Sequence, residues 1–545
     1  MHQFSISPFI TARRIMLAIA VVCAGLAHAA PGDLDTTFGS GFGLVRSTMF
    51  GSVTANQFGT GERSGDPAMA LQPDGKYVVA ASCKTGATYD LCVARFDTDG
   101  GVDTSFGVNG IVVTDMRGTD DYVAGVALQP DGKIVVAGTC AATTTSGTGT
   151  DFCVTRYGAN GVIDTSFGSG GKVFTSLRDF DDTASSMALQ VDGKIVVAGF
   201  CAGSTSASSA IETCMARYTS AGALDPSFSG DGKLPVVRPN NVATPVTIRK
   251  KANGVAIAAD GKIVLVGSTI LVGSLGGGSP DYQTDLQIIR LLPNGTPDAT
   301  FSGDGFVSES PASGWLVGNA VTVQPDGRIV VVASQVGACS NGQNECMIAR
   351  RYTEAGALDV TFGSSGRVTL DFSAIGPGSA GYAVAMQSDG KIMLAGHCYG
   401  TGGYRSFCFT RLRDDGTLDK NFATNGMGSA RFDTGSGDYA VVGSAAVQPD
   451  GKIVLAGQCY SAFCMLRLEG GPFGARNCSL DLDGDGSVLA TTDMLIGTRV
   501  ALGITGGAVI GGINFPVGAT RDQWGSNTSR DIRKFLLTQC GMVLR

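Results

Sequence analysis

The stretch VALQPDGKIVVAGTC, Val126 to Cys140, sets apolar runs on either side of Pro-Asp-Gly-Lys. Proline fixes φ for the first turn position, aspartate tolerates the second, and glycine supplies the positive φ of a bulged hairpin. The same phrase recurs. Asp-Gly followed by Lys or Arg begins at Asp74, Asp131, Asp192, Asp260, Asp326, Asp389 and Asp450, about every sixty residues. A turn needed at each repeat is a better reading than an acid–base pair or a cation loop. Two further markers keep step. Asp-x-x-Phe stands at Asp35, Asp103, Asp164, Asp225, Asp298, Asp359 and Asp419. An arginine before an aromatic residue or leucine stands at Arg95, Arg156, Arg217, Arg290, Arg351, Arg411 and Arg467. Each of the first six arginines precedes the next marker aspartate by eight residues, which predicts a charge-assisted pair at the passage between units.

Three markers with one period signify a repeat architecture. Each unit reads as four short strands, in the order GKVFTSL, SSMALQ, KIVVAG and CMARYTS. The IVVA run is apolar on both faces, as expected of a strand between neighbouring sheets. CVTRY alternates and reads as the more polar outer strand. With 80 glycines, 16 % charged and 43 % hydrophobic residues, the composition suits many short strands joined by turns. The fold expected over residues 30–470 is all-β, a seven-bladed β-propeller of four-stranded repeats, closed so that only short edges remain. An open β-solenoid is the alternative; it would need capping units, and none is evident at the N-terminus.

The phrases ALQPDGKIVVAG and RY…GxxDxxFGxxG resemble the delta-60 repeat of secreted bacterial proteins, over roughly Asp33 to Leu468. The resemblance implies a β-propeller-like architecture and no particular activity.

The leader contains ARRIMLAIAVVCAGLAHAA: two arginines, about a dozen apolar residues, then Ala27-His28-Ala29. Residues 1–29 are read as a signal peptide cleaved after Ala29, its apolar run being shorter than the ~20 residues a bilayer needs. No later segment is long and apolar enough to span. The protein is therefore expected to be exported, to the periplasm, the cell surface or the medium. Removing Arg13 and Arg14 from 40 basic residues leaves 38 against 47 acidic ones, a balance that repels phosphate backbones and argues against nucleic acid as a partner.

Outside the leader, twelve cysteines fall in pairs flanking the loop after KIVVAG: Cys83/Cys92, Cys140/Cys153, Cys201/Cys214, Cys339/Cys346, Cys398/Cys408 and Cys459/Cys464. The fourth unit has Thr269 and Gln287 at the corresponding places, so both partners are missing together. Joint loss and an exported context predict disulfides rather than metal ligands. The stapled loops vary in length and gather on one face, the first candidate for recognition.

Catalytic material is sparse. Once His2 and His28 leave with the leader, His397 is the sole imidazole, read as a strand-end residue beside a disulfide. Ser-His-Asp hydrolysis and multi-histidine metal sites lack the residues they need. A carboxylate pair would suffice for glycan chemistry, but most aspartates are explained by turns, and the only tryptophans are Trp315 and Trp524. The expected function is a monomeric binding or scaffold protein for an unidentified protein or glycan ligand. The alternative is a secreted carbohydrate-active enzyme using carboxylates in the central depression.

A linker, 471–477, leads to a different text over 478–545. Asp481, Asp483 and Asp485 occupy positions one, three and five of a calcium loop, Gly486 occupies six, and Ser487 offers its carbonyl at seven. The segment resembles an EF-hand or dockerin-type loop and implies Ca²⁺. It departs at position twelve, which is Thr492, with Asp493 one residue later as the candidate closing ligand. Cys478 and Cys540 would tie together a helical module too small for a large core. No second Asp-x-Asp-x-Asp-Gly follows, so a cohesin-like partner is not implied.

Overall fold

The computed structural model describes residues 30–50, 67–141, 149–178, 180–203, 211–236, 247–273, 281–311, 313–337, 339, 343–400, 403–432, 439–460 and 462–471, with 510, 513 and 532. The leader, the calcium-loop residues Asp481, Asp483, Asp485, Ser487 and Asp493, and the Cys478/Cys540 pair lie outside them.

The described residues form 28 β-strands. After β1 (Leu44–Ser47) come antiparallel four-stranded sheets in chain order, the third to sixth joined to one another by single parallel bridges, Ile211 with Arg249, Thr284 with Trp315 and Glu345 with Gly378. The first is β2 (Ala68–Leu71), β3 (Tyr77–Thr85), β4 (Thr88–Phe96) and β5 (Ile111–Thr114). The second is β6 (Asp121–Leu128), β7 (Ile134–Ala141), β8 (Thr150–Tyr157) and β9 (Lys172–Thr175). The third is β10 (Asp182–Leu189), β11 (Ile195–Ala202), β12 (Ile211–Tyr218) and β13 (Lys233–Val236). The fourth is β14 (Thr247–Ile257), β15 (Ile263–Gly273), β16 (Asp281–Leu291) and β17 (Phe306–Glu309). The fifth is β18 (Trp315–Val323), β19 (Ile329–Val336), β20 (Glu345–Tyr352) and β21 (Arg367–Thr369). The sixth is β22 (Gly378–Met386), β23 (Ile392–Tyr399), β24 (Arg405–Leu412) and β25 (Met427–Ala430). The last contains β26 (Ala440–Val447), β27 (Ile453–Cys459) and β28 (Ala462–Leu468). Its fourth strand is β1, with Leu44 opposite Leu466 and Ser47 opposite Phe463.

The strand order differs from the sequence reading. Lys172 of β9 lies opposite Thr155 of β8, so the segment after Asp-x-x-Phe-Gly ends one sheet instead of beginning the next. CVTRY is consequently a third strand, buried from Asp151 to Tyr157, and not the polar outer one. Its alternation has another cause: the polar side chain of Arg156 faces an internal carboxylate rather than water.

The apolar second strands explain the packing. Ile134 through Cys140 of β7 are all buried, and one hydrophobic cluster fills each junction between sheets. Val135, Ala137 and Val154 meet Ile195, Val197 and Ala216 between the second and third sheets. Tyr77, Val79 and Phe96 of the first sheet meet Val454, Phe463 and Met465 of the last. Each such large side chain contributes roughly 1.5–3 kcal/mol. The architecture is all-β and propeller-like, and among the described residues no helix is long and apolar enough to cross a membrane.

The Asp-Gly-Lys phrase is a turn. Gly132 N–H donates to Gln129 O at 2.9 Å, Gln129 N–H to Lys133 O at 2.9 Å, and Lys133 N–H to Asp131 Oδ1 at 3.2 Å. Gly132 has φ of 80°, where a Cβ would be strained. These turns share one face with the connections from third to fourth strands. The stapled loops and the linkers between sheets share the other.

Candidate functional site

The repeated charges interlock the sheets on the turn face. Arg156 Nε donates to Asp164 Oδ2 at 2.9 Å and Nη2 to Ser166 Oγ at 3.3 Å, while Nη1 reaches Ser220 O of the next sheet at 2.5 Å. The guanidinium lies 4.7 Å from the Phe167 ring centre. The same pair recurs for Arg95 and Asp103 at 2.7 Å, Arg217 and Asp225 at 2.8 Å, Arg290 and Asp298 at 2.8 Å, Arg351 and Asp359 at 2.8 Å, and Arg411 and Asp419 at 2.9 Å. Arg467 has no aspartate eight residues on; its Nε meets Asp35 Oδ2 at 2.5 Å, from the other end of the chain. Burial pushes the Asp225 carboxyl up, but the hydrogen bonds from Ser227 and the charges of Arg217 and Lys194 outweigh it and hold the pKa at about 2. At neutral pH Asp225 is an ionised strut.

The opposite face carries six disulfides, Cys83–Cys92, Cys140–Cys153, Cys201–Cys214, Cys339–Cys346, Cys398–Cys408 and Cys459–Cys464, with Cα atoms 5.6 to 6.0 Å apart. Their placement is diagonal on the ladder: Cys201 lies opposite Glu212, and Cys214 opposite Gly199. Thr269 and Gln287 hold the same diagonal in the fourth sheet, opposite Asp285 and Gly267. Cys339 lies beyond the end of β19, off that diagonal.

On this face the Cys398–Cys408 hairpin presents a feature that the sequence reading missed. Tyr399 and Arg405 are directly opposite one another, and Arg405 also bridges to Tyr439 of the linker entering the last sheet. The guanidinium sits between the two rings, 4.8 Å from Tyr399 and 4.6 Å from Tyr439, donating to their hydroxyls at 3.0 and 2.7 Å. Nearby in the chain, exposed Arg431 stands 3.8 Å over the Tyr404 ring. Tyr460 and Trp315, 64 % and 43 % exposed, belong to the same face of the last and fifth sheets. His397 is 1 % exposed, stacks on Tyr382 and meets the edge of Tyr399. Burial, then the charge of Arg405, hold its pKa down to about 3, so the ring is neutral and serves packing. The local signal is Tyr399 and Tyr404-Arg405 between the stapling cysteines, but Tyr439 is 34 residues from Arg405.

Other carboxylates differ in kind from the struts. Asp90, Asp115 and Asp121 bring oxygens within 4.8 Å of one another in the wedge between the first and second sheets. Burial raises the pKa of Asp121 and of Asp182 to about 7. Neither lines the central cavity of about 180 Å³, which is bounded by first-strand residues including Met69, Gly125, Ser186, Asn253 and Ser444 and by no carboxylate among the described residues.

Six segments, 72–106, 129–167, 190–228, 258–301, 324–362 and 387–422, match the family model described as Domain of unknown function (DUF5122) beta-propeller. Each runs from the residue opening the Asp-Gly turn to the phenylalanine of Asp-x-x-Phe. No curated protein matches the sequence. Among solved structures, the chain is similar to a PL25 polysaccharide lyase, an ulvan lyase, with TM-score 0.47, 10 % identity, and coverage of 78 % of this chain and 97 % of that one. It is similar to the polysaccharide lyase Uly1, with TM-score 0.43, 12 % identity, and coverage of 76 % and 92 %. A third is the α-L-arabinofuranosidase Arb93A from Fusarium graminearum, with TM-score 0.35, 11 % identity, and coverage of 66 % and 97 %. Matched repeats that fold as packed four-stranded sheets make this chain a repeat β-propeller protein.

Proposed function

We propose that the protein is an exported, monomeric binding protein: a closed seven-bladed propeller that takes a glycan on its disulfide-stapled face and carries a calcium-binding helical module over 478–545. The observation that carries the glycan reading is Arg405 held between Tyr399 and Tyr439. Aromatic rings offer flat apolar surface for sugar rings. A guanidinium has five N–H donors, of which two are committed to the tyrosine hydroxyls here, and it binds carboxylate or sulfate groups through charge-assisted hydrogen bonds. Ring closure is supported by β1 completing the last sheet and by the Arg467–Asp35 pair. Export is supported by the leader and by six disulfides, which persist in oxidising compartments.

The test is binding of the full mature protein to acidic and neutral glycan fractions, with product formation measured in parallel. Arg405→Ala and Tyr439→Ala should abolish binding while the melting temperature stays within a few degrees of wild type. Binding unaffected by either change would refute the reading. Product formed from any of these glycans would put the second reading, a secreted carbohydrate-active enzyme, in place of the first.

A further inference from the structure

Three junctions between neighbouring sheets share one construction on the stapled face. In each, a third-strand acid opposite the first cysteine of its staple approaches the first strand of the next sheet: Asp90, Asp151 and Glu212. The facing first-strand residues, at equivalent register, are Asp121, Asp182 and Lys250. Between the third and fourth sheets Lys250 Nζ lies 3.5 Å from Glu212 Oε2. Between the second and third, Arg117, from the linker that enters the second sheet, lies 2.7 Å from Asp151 Oδ2, while the facing Asp182 keeps its buried Oδ1 without a hydrogen-bond partner. The facing first-strand residue is thus a cation only at Lys250.

Between the first and second sheets the facing residue is again an acid, and a third carboxylate joins it from the linker. Asp90, Asp115 and Asp121 converge there, and none forms an ion pair among the described residues. Asp121 is fully buried and Asp90 is 5 % exposed. Each keeps one buried oxygen, Oδ1, without any hydrogen-bond partner. The other oxygens are used: Asp121 Oδ2 accepts from Met116 N–H at 2.8 Å, and Asp90 Oδ2 from the Thr85 hydroxyl. Of the surrounding charged groups, Asp120 accepts from Tyr89 N–H at 3.0 Å, and Lys172 Nζ donates to the backbone carbonyl of Asp115 at 2.6 Å. A buried carboxylate oxygen left unpaired costs the full desolvation of that group.

We propose that this wedge is a Ca²⁺ site, with Asp90, Asp115 and Asp121 each giving one carboxylate oxygen and the ion taking the place that Lys250 fills between the third and fourth sheets. Calcium–oxygen distances of about 2.3–2.6 Å let ligands on opposite sides of the ion stand roughly 4.6–5.2 Å apart, which accommodates this cluster. Exposed Asp115 leaves a side open for water to complete the shell. The ion would fasten the Cys83–Cys92 hairpin, which carries Asp90, to the strand that opens the second sheet.

The test uses the full mature chain, stripped with EDTA, in an Asp481→Ala, Asp485→Ala background that silences the C-terminal loop. Calcium titration calorimetry should show one saturable event, with a dissociation constant on the order of 10⁻³ M or tighter, together with a rise in melting temperature. Adding Asp90→Asn and Asp121→Asn should weaken it at least tenfold. Terbium in place of calcium should emit on tyrosine excitation, because Tyr89 and Tyr122 adjoin the ligands and their rings stand 5.8 Å apart. Without metal, Asp121→Asn should melt no lower than its parent, since it removes an unpaired buried charge; this separates lost binding from lost folding. No heat, no melting shift and no terbium emission in the silenced background would overturn the proposal. So would signals unchanged by the Asp90 and Asp121 substitutions.

Discussion

Asp35→Asn tests whether the chain ends are locked by the same strut that recurs inside the chain. The Asp35 carboxylate is 1 % exposed. It accepts from Arg467 Nε and Lys452 Nζ, both at 2.5 Å, and from Thr37 N–H at 2.9 Å and Thr37 Oγ1 at 2.7 Å. Burial pushes this carboxyl up, but the bonds from Lys452 and Thr37 and the charge of Arg467 hold it at about 2. Against an unfolded value near 3.9, a gap of about two units is worth roughly 2.5 kcal/mol. Asparagine keeps the shape and leaves Arg467 without its carboxylate, while Lys452 retains Glu469 at 3.2 Å, so the loss at pH 7 should be about 3 kcal/mol, at the low end of the range for breaking a buried pair. A depressed folded pKa gives stability that is complete above the unfolded value and lost as pH falls through the folded one. The difference from wild type should therefore be constant above pH 5 and close between pH 4 and 2. Urea unfolding at several pH values measures it, and trypsin cleavage at Arg46, in β1, reports release of the N-terminal strand. Asp225→Asn, whose arginine lies eight residues away, should lose comparable stability without exposing Arg46. If Asp35→Asn unfolds within about 0.5 kcal/mol of an exposed control, Asp131→Asn, the clamp does not hold the ends together.

Serine at both cysteines of the Cys140–Cys153 staple, separation 13, should cost about 3 kcal/mol, and at those of Cys459–Cys464, separation 5, about 2 kcal/mol, as measured by urea unfolding. Non-reducing peptide maps showing mainly free thiols or bridges between sheets would contradict this. Asp182 is buried with its carboxyl raised to about 7, so its contribution is complete below pH 4 and is lost as pH rises through 7. Asp182→Asn should consequently gain on wild type across that interval, by on the order of 2–4 kcal/mol, and a pH-independent difference in melting would refute it. Ala258 stands where other sheets have a glutamine, as Gln129 does in donating to Ser220 O at 3.1 Å, and it borders a cavity of about 270 Å³. Ala258→Gln should raise stability by roughly 0.5–1 kcal/mol; an unchanged or lower melting temperature would count against that account. In the C-terminal loop, Asp481→Ala or Asp485→Ala should remove one calcium-binding event from the full chain by calorimetry, and two identical titrations would reduce the loop to an acidic turn.

The sheets are legible in the sequence because each turn and strut needs the same residue types at every repeat: glycine with positive φ, aspartate to bond the turn, arginine eight residues before its carboxylate. The phase is harder to read, since a periodic text marks no beginning. GKVFT follows the Asp-x-x-Phe phrase and looks like the opening of a unit, yet it pairs backwards, with β8. Only the ends break the degeneracy. Asp35 has no marker arginine upstream and Arg467 no marker aspartate downstream, and the two mismatches are one pair in space.

The candidate sites are not legible for the opposite reason: they rest on residues that do not recur, drawn together from separate segments. Arg405 gains its second ring from the neighbouring linker, and the Asp90, Asp115 and Asp121 wedge draws on two sheets. In a repeat fold, what recurs holds neighbouring sheets together, and a departure from the pattern at an otherwise equivalent position carries the information specific to this chain. Lys250 replacing an aspartate, Arg117 reaching Asp151, Ala258 replacing a glutamine and Tyr439 meeting Arg405 are departures of that kind. Their position divides them by role. The substitution at Ala258 lies among the turns, where it opens a gap in the interlock. The other three lie on the stapled face, where disulfides hold hairpins whose sequences are free to vary. A ligand surface is therefore better sought among the stapled hairpins than in the central cavity, whose lining among the described residues is of small side chains without a carboxylate and suits close approach of strands more than chemistry.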